Sequence, residues 1–199
     1  MNHFNTQALQ WDSPEKINQN KAYSELIKKH LTKTKGLKIL EVGCGTGLLG
    51  SQFLGEENSL LGIDTSEGML NVFNEKFKNN PLVTARLMNL EEQELAEQKF
   101  DLILSSMAFH HLVNPANMLL KLSRYLAKDG LIAIIDLDQE DGTFHPDPKK
   151  MGVHHFGFSE DLTQNWAKVA KLHKKPRELA NIIHKNEREY PLFLEIYQQ

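Results

Sequence analysis

Short apolar runs recur along the chain, separated by polar stretches with helical spacing. LKILEV (37–42), SLLGID (59–64), LVTARLM (82–88), FDLILSS (100–106) and LIAIIDLD (131–138) are apolar almost throughout, as strands buried on both faces must be. Segments 47–55, 66–78, 91–97 and 114–127 place apolar residues at helical intervals. This alternation predicts a parallel sheet covered by helices on both sides. A preceding helix is expected from Ser13, as N-cap, and Pro14, in the first turn, to about Leu31. Asn114-Pro115 suits the start of the 114–127 helix, and Gly130 its end.

Beyond residue 138 the pattern changes. DQEDGTFHPDPKKMGVHHFGF (138–158) holds two prolines, three glycines and three histidines. It reads as a long loop, of the kind that serves as a lid. A helix is expected over 159–172. ELANIIHK (178–185) and YPLFLEIYQQ (190–199), separated by NERE, suit a closing hairpin. The expectation is a Rossmann-like, doubly wound, seven-stranded α/β sheet, mostly parallel with a C-terminal antiparallel strand. It would be one domain over 1–199, with 1–35 as a helical cap and 138–158 as a lid.

The totals narrow the function. The chain has 199 residues, 40% hydrophobic and 25% charged, with a formal net charge of −3. That suits a soluble domain and disfavours general nucleic-acid binding, which calls for a basic surface. Cys44 is the one cysteine, so no intrachain disulfide is possible, and a reducing compartment fits. MNHFNTQALQWD lacks the apolar core of a secretory leader. No run reaches the roughly 18–20 apolar residues of a membrane span. A cytoplasmic protein, monomer or homodimer, without membrane insertion is expected.

The chemistry starts at EVGCGTGLLG (41–50). Two glycine patterns overlap there: Gly45, Gly47 and Gly50 spell the dinucleotide fingerprint G-x-G-x-x-G, while Gly43, Gly45 and Gly47 spell G-x-G-x-G after Glu41. In the dinucleotide pattern the first glycine ends the strand. Here that glycine is Gly43, and the residue five positions on is Leu48. Glu41 at the strand end would repel a pyrophosphate and suits a ligand carrying an ammonium or sulfonium. Asp64 ends the second strand, where a carboxylate accepts hydrogen bonds from the ribose hydroxyls of an adenosine. Asn89 ends the third, placed for an adenine edge or for a plain turn.

E-V-G-C-G-T-G resembles the first motif of class I S-adenosylmethionine-dependent methyltransferases. GIDTSEGML, MNLEE, FDLILSSMAFHHL and LAKDGLIAIIDLD follow in that family's order and spacing. The branch most resembled is the small-molecule, ubiquinone-biosynthesis type; WDSPEK and EDGTFHPD…GVHHFGF resemble a poorly characterised set within it. The resemblance implies S-adenosylmethionine as cofactor, S-adenosylhomocysteine as product and a small-molecule acceptor. It implies that Glu41 orients the methionine amino group and that Gly43, Cys44, Gly45 and Gly47 line the methionine and ribose. Asp64 would hold the ribose, with Thr65 and Met69 near the adenine and Asn89 and Leu90 framing its other side. Ser105, Ser106 and Met107 would pass beneath the cofactor, with His110 near its sulfonium. The family usually has aspartate where this chain has Asn89.

Methyl transfer from a sulfonium is an in-line displacement in which positioning supplies much of the rate. A base helps when the nucleophile carries a proton. Histidines are the candidates: His110, with His111 less favoured, and His154 or His155 from the long loop. Asp136, Asp138, His145, Asp147, His154 and His155 fit no specific metal signature, and no metal is expected. The Asn/Asp-Pro-Pro-aromatic loop of many amino-group methylases is absent; that place reads SSMAFHHL. Two alternatives stay open: a non-catalytic protein that binds the same cofactor, and an NAD-dependent oxidoreductase.

Overall fold

The computed structural model describes residues 3–55 and 57–199. Helix α1 (His3–Gln7) and a 3₁₀ turn lead to α2 (Pro14–Lys28). The Ser13 hydroxyl accepts the Lys16 N–H at 3.3 Å, satisfying one free donor of the first turn of α2. Then come β1 (Lys38–Val42), β2 (Ser59–Asp64), α3 (Glu67–Phe77), β3 (Val83–Leu87) and β4 (Phe100–Ser106). The chain continues through α4 (Pro115–Tyr125), β5 (Leu126–Leu137), α5 (Glu160–Ala170), β6 (His173–Lys174), β7 (Glu178–Lys185) and β8 (Arg188–Gln198).

The sheet order is β3-β2-β1-β4-β5-β8-β6, with β7 also paired to β8. Strands β1 to β5 are parallel; β8 runs antiparallel to β5, β6 and β7. From β1 the chain first builds outward through β2 and β3, then returns to add β4 and β5 on the other side. A crevice therefore opens at the carboxyl ends of β1 and β4, where ligands bind in sheets of this kind.

The two faces explain why the strands are apolar throughout. Tyr23 and Ile27 of α2 and Leu70 and Phe73 of α3 pack on one face. Met118, Leu119 and Leu122 of α4 and Trp166 and Ala167 of α5 pack on the other. Each fully buried aliphatic or aromatic side chain contributes about 1.5–3 kcal/mol.

Four expectations are corrected. Segment 47–55 forms only a 3₁₀ turn, Gly50–Phe53: Gly47 sits at φ +79°, outside helical space, and the Gly50 N–H is drawn to Glu41 Oε2 at 3.1 Å. Segment 91–97 is not a helix, because side chains capture its backbone. Asn89 Oδ1 takes the Glu91 N–H, Tyr125 Oη takes the Leu95 N–H, and Lys121 Nζ donates to the carbonyls of Leu90 and Gln93. The fourth long helix stops at Tyr125 and passes directly into β5, so Gly130 lies inside a strand instead of ending a helix. The sheet has eight strands, since β6 adds a two-residue pairing on β8 that no apolar run announces.

One buried polar cluster ties α5 to the antiparallel end. Glu195 of β8 is fully buried. Its Oε1 accepts from Thr163 Oγ1 at 2.7 Å and Arg177 Nε at 2.8 Å, and lies 3.1 Å from Lys174 Nζ. Its Oε2 accepts from Tyr197 Oη at 2.5 Å. Arg177 also reaches Asp138 Oδ1 and the Phe158 carbonyl, both at 2.9 Å. The two ends of the 138–158 segment are thereby fixed to the same cluster.

Candidate functional site

The crevice holds a cavity of about 690 Å³. Its floor is the loop after β1. Gly43, Gly45 and Gly47 all have positive φ, a conformation that side chains resist. A Cβ on Gly43 would lie 2.4 Å from the Ala108 Cβ. Gly43→Ala is therefore expected to lower stability by about 2–4 kcal/mol, combining a left-handed alanine with overpacking, as read by urea unfolding. Gly50 is different: its missing Cβ makes room for the Glu41 carboxylate, whose Oε2 would be 2.5 Å away. The glycines that matter to the loop are thus the G-x-G-x-G set, and Gly50 serves the buried carboxylate.

Glu41 is buried at the end of β1. Burial pushes its carboxyl up to about 8; the Gly50 N–H pulls it down and the Asp64 charge adds to the rise. Asp64 accepts the Gly45 N–H through Oδ2 at 2.7 Å and the Ser66 N–H through Oδ1 at 2.8 Å. Its carboxyl is also raised by burial, against the pull of these backbone donors. Ser66 caps α3, its hydroxyl accepting the Met69 N–H at 3.3 Å, so Asp64 is not needed as the cap. Cys44 is a filler: a Cβ on Gly62 would meet its Sγ at 2.7 Å, and burial holds the thiol well above its ordinary range.

The far end of the cavity is built from histidines. His110 follows β4 and is 1% exposed. Its Nδ1 lies 2.7 Å from Oδ1 of Asp136, a fully buried carboxylate near the end of β5. Asp136 Oδ2 also accepts the Phe109 N–H at 2.9 Å. The other ring nitrogen, Nε2, is buried and has no hydrogen-bond partner among the described residues. His111 Nδ1 is 3.0 Å from the Gly152 carbonyl. Burial, then the neighbouring His110, lowers His111 to about 4; burial, His110 and His111 lower His145 to about 3.

Of the residues expected at the site, Glu41, Gly43, Cys44, Gly45, Asp64, Thr65, Met69, Asn89, Leu90, Ser105, Ser106, Met107, His110 and His154 all line the cavity. Two do not. Gly47 is placed by packing, since a Cβ there would meet the Phe73 ring at 2.7 Å. His155 donates its N–H to the His110 carbonyl at 3.1 Å and packs its ring 5.4 Å from Phe158, outside the lining. Asn89 Oδ1 is engaged in a turn with Glu91, and the Ser105 hydroxyl donates to the Val42 carbonyl at 2.9 Å.

The roof comes from the two segments expected as cap and lid. Phe4 and Trp11 line the cavity from the N-terminal segment, packed edge-to-face at 5.8 Å. Asp12 holds this segment down: its Oδ1 accepts from Thr46 Oγ1 at 2.5 Å and its Oδ2 pairs with Lys76 Nζ at 2.6 Å. Phe144 and Met151 join the roof from the 138–158 segment.

Sheet order, crevice and glycine loop together define a methyltransferase fold. Residues 40–134 match the family model described as "Methyltransferase domain". An uncharacterised methyltransferase of Schizosaccharomyces pombe, C1347.09, is 34% identical over 155 residues, covering 70% of this chain and 55% of that protein. A ubiquinone/menaquinone biosynthesis C-methyltransferase of Campylobacter jejuni is 33% identical over 114 residues, covering 54% of this chain and 47% of that one. A solved S-adenosylmethionine-dependent methyltransferase from Aquifex aeolicus superposes with a TM-score of 0.67 at 21% identity, covering 96% and 97% of the two chains. The chain belongs to the class I S-adenosylmethionine-dependent methyltransferases. It spans about half the length of the curated relatives it matches. Among the described residues no helix is long and apolar enough to cross a membrane.

Proposed function

We propose that this chain transfers the methyl group of S-adenosylmethionine to a small-molecule nucleophile. The observation that carries the reading is the polarity of the cavity: the buried Glu41 carboxyl and the half-buried Asp64 carboxyl at one end, a histidine cluster at the other. Asp64 takes the ribose hydroxyls on the lone pairs that Gly45 and Ser66 leave free. Glu41 faces the methionine ammonium and Met69 and Leu90 the adenine. That arrangement leaves the methyl group directed at His110. An NAD-dependent reaction fits poorly, because Gly50, the third glycine of the dinucleotide pattern, makes room for Glu41 and does not line the cavity. A small acceptor fits a cavity of about 690 Å³ beneath the 3–35 and 138–158 segments. The 3–35 and 138–158 segments act as cap and lid.

Calorimetric titration with S-adenosylmethionine, S-adenosylhomocysteine and NAD tests the reading. Micromolar binding of the first two and none of NAD is expected. NAD binding alone would overturn the assignment. Asp64→Ala should weaken S-adenosylhomocysteine by about 1–3 kcal/mol, the range for hydrogen bonds to a charged group. Unchanged affinity would remove Asp64 from the site.

A further inference from the structure

Three imidazoles from two separate stretches of chain meet at the acceptor end. His110 and His111 come from the turn after β4, His145 from the 138–158 segment. Their ring centroids are 4.1, 5.0 and 5.8 Å apart, and one nitrogen of each lies within 4.8 Å of the other two. His110 and His145 are buried and His111 half-buried. Two of the rings have one nitrogen already held: Asp136 Oδ1 lies 2.7 Å from His110 Nδ1, and the Gly152 carbonyl 3.0 Å from His111 Nδ1. Such outer partners fix ring orientation and make the remaining nitrogen a better donor. His110 Nε2 is buried with no hydrogen-bond partner among the described residues.

We propose that His110, His111 and His145 form a three-nitrogen site for a divalent transition ion, zinc first, with its fourth position open to the cavity. Three neutral imidazoles without a carboxylate ligand suit zinc and its neighbours, and not magnesium or calcium. Zinc–nitrogen bonds of about 2.0–2.1 Å draw tetrahedral donors to about 3.3 Å apart. The rings need to close by roughly 1.5 Å at most, well within side-chain adjustment of a segment held by its two ends.

The role of the ion rests on the methyl-transfer reading above; the site itself does not. With the cofactor's methyl group directed at this end of the cavity, the open position holds the acceptor heteroatom. The acceptor is then a small thiol or hydroxyl compound that binds as its anion, its proton passing to solvent. Its lone pair forms the new bond to the methyl carbon. The methyl–sulfonium bond breaks, and that electron pair stays on the leaving sulfur.

The test uses the full chain, stripped with chelator and titrated with zinc chloride against a chromophoric competitor, and with cobalt(II) chloride for its visible absorption. One equivalent should bind, with the intense bands of a four-coordinate cobalt ion. Asp136→Asn, the loss of an outer partner, should weaken zinc by about 10-fold, and His145→Ala and His111→Ala, each the loss of a direct ligand, by more than that. S-adenosylhomocysteine affinity, unchanged within about twofold in His145→Ala, verifies the fold. Failure of wild type to bind zinc or cobalt stoichiometrically would overturn the site, as would equal binding by both alanine variants. Failure of S-adenosylhomocysteine to bind, with metal binding intact, would overturn the cofactor reading instead.

Discussion

Glu195→Ala should lower the unfolding free energy by about 3–5 kcal/mol, the range for removing one partner of a buried ionic group. The reason lies in what remains. Lys174 has a side chain 1% exposed and Arg177 one 10% exposed, and both face the Glu195 carboxylate. Alanine leaves two cations and the Thr163 and Tyr197 hydroxyls around an empty space. Desolvated charge without a counter-charge is the more expensive half of such a pair. Lys174 retains Glu160, and Arg177 retains Asp138, so the loss is held to this range. Urea unfolding at neutral pH is the measurement, with the slope against denaturant unchanged if both states keep their compactness. A loss below about 1 kcal/mol would mean that water enters and solvates the cluster. The variant should also loosen the 138–158 segment, because Arg177 anchors Asp138 and Phe158.

The second large effect is a dependence of cofactor affinity on pH. Glu41 in the free protein stays protonated up to about 8 because it is buried. A cofactor ammonium beside it favours the carboxylate, so binding releases a proton. Linkage then makes S-adenosylhomocysteine bind close to tenfold more tightly for each unit between about pH 6 and 8, levelling above that. The free protein moves the other way. Its Glu41 contribution is fully present below the ordinary value of 4.5 and is lost as pH rises through about 8. Asp64 and Lys76 act on the same carboxyl, so Glu41→Gln is the control. It should flatten the slope and raise stability at high pH. A slope equal in both proteins would place the titration elsewhere.

Much of this architecture is legible in the residue pattern, for a physical reason. Strands buried on both faces must be apolar throughout, so β1, β2, β4 and β5 announce themselves. Glu41 and Asp64 are legible because a carboxylate at the end of such a strand has no packing purpose. What fails is whatever long-range partners decide. The 91–97 segment has helical spacing, yet Tyr125 and Lys121, about thirty residues on, take its backbone groups. The histidine cluster is hidden for the same reason. His145 lies 35 positions from His110 in sequence, at no metal-ligand spacing, and only the folding back of the 138–158 segment brings them together. Asp136 reads as the end of a strand until His110 is seen on it.

The cavity is assembled from two kinds of chain. Its floor, from Glu41 to Met118, lies inside the matched residues 40–134. Its roof, with Phe4, Trp11, Phe144, His145 and Met151, comes from outside them. Insertion, deletion or drift in the roof would leave the matched residues 40–134 in place. Loops over a rigid scaffold tolerate such change. Two short stretches of sequence would thus carry much of the freedom to acquire a new acceptor.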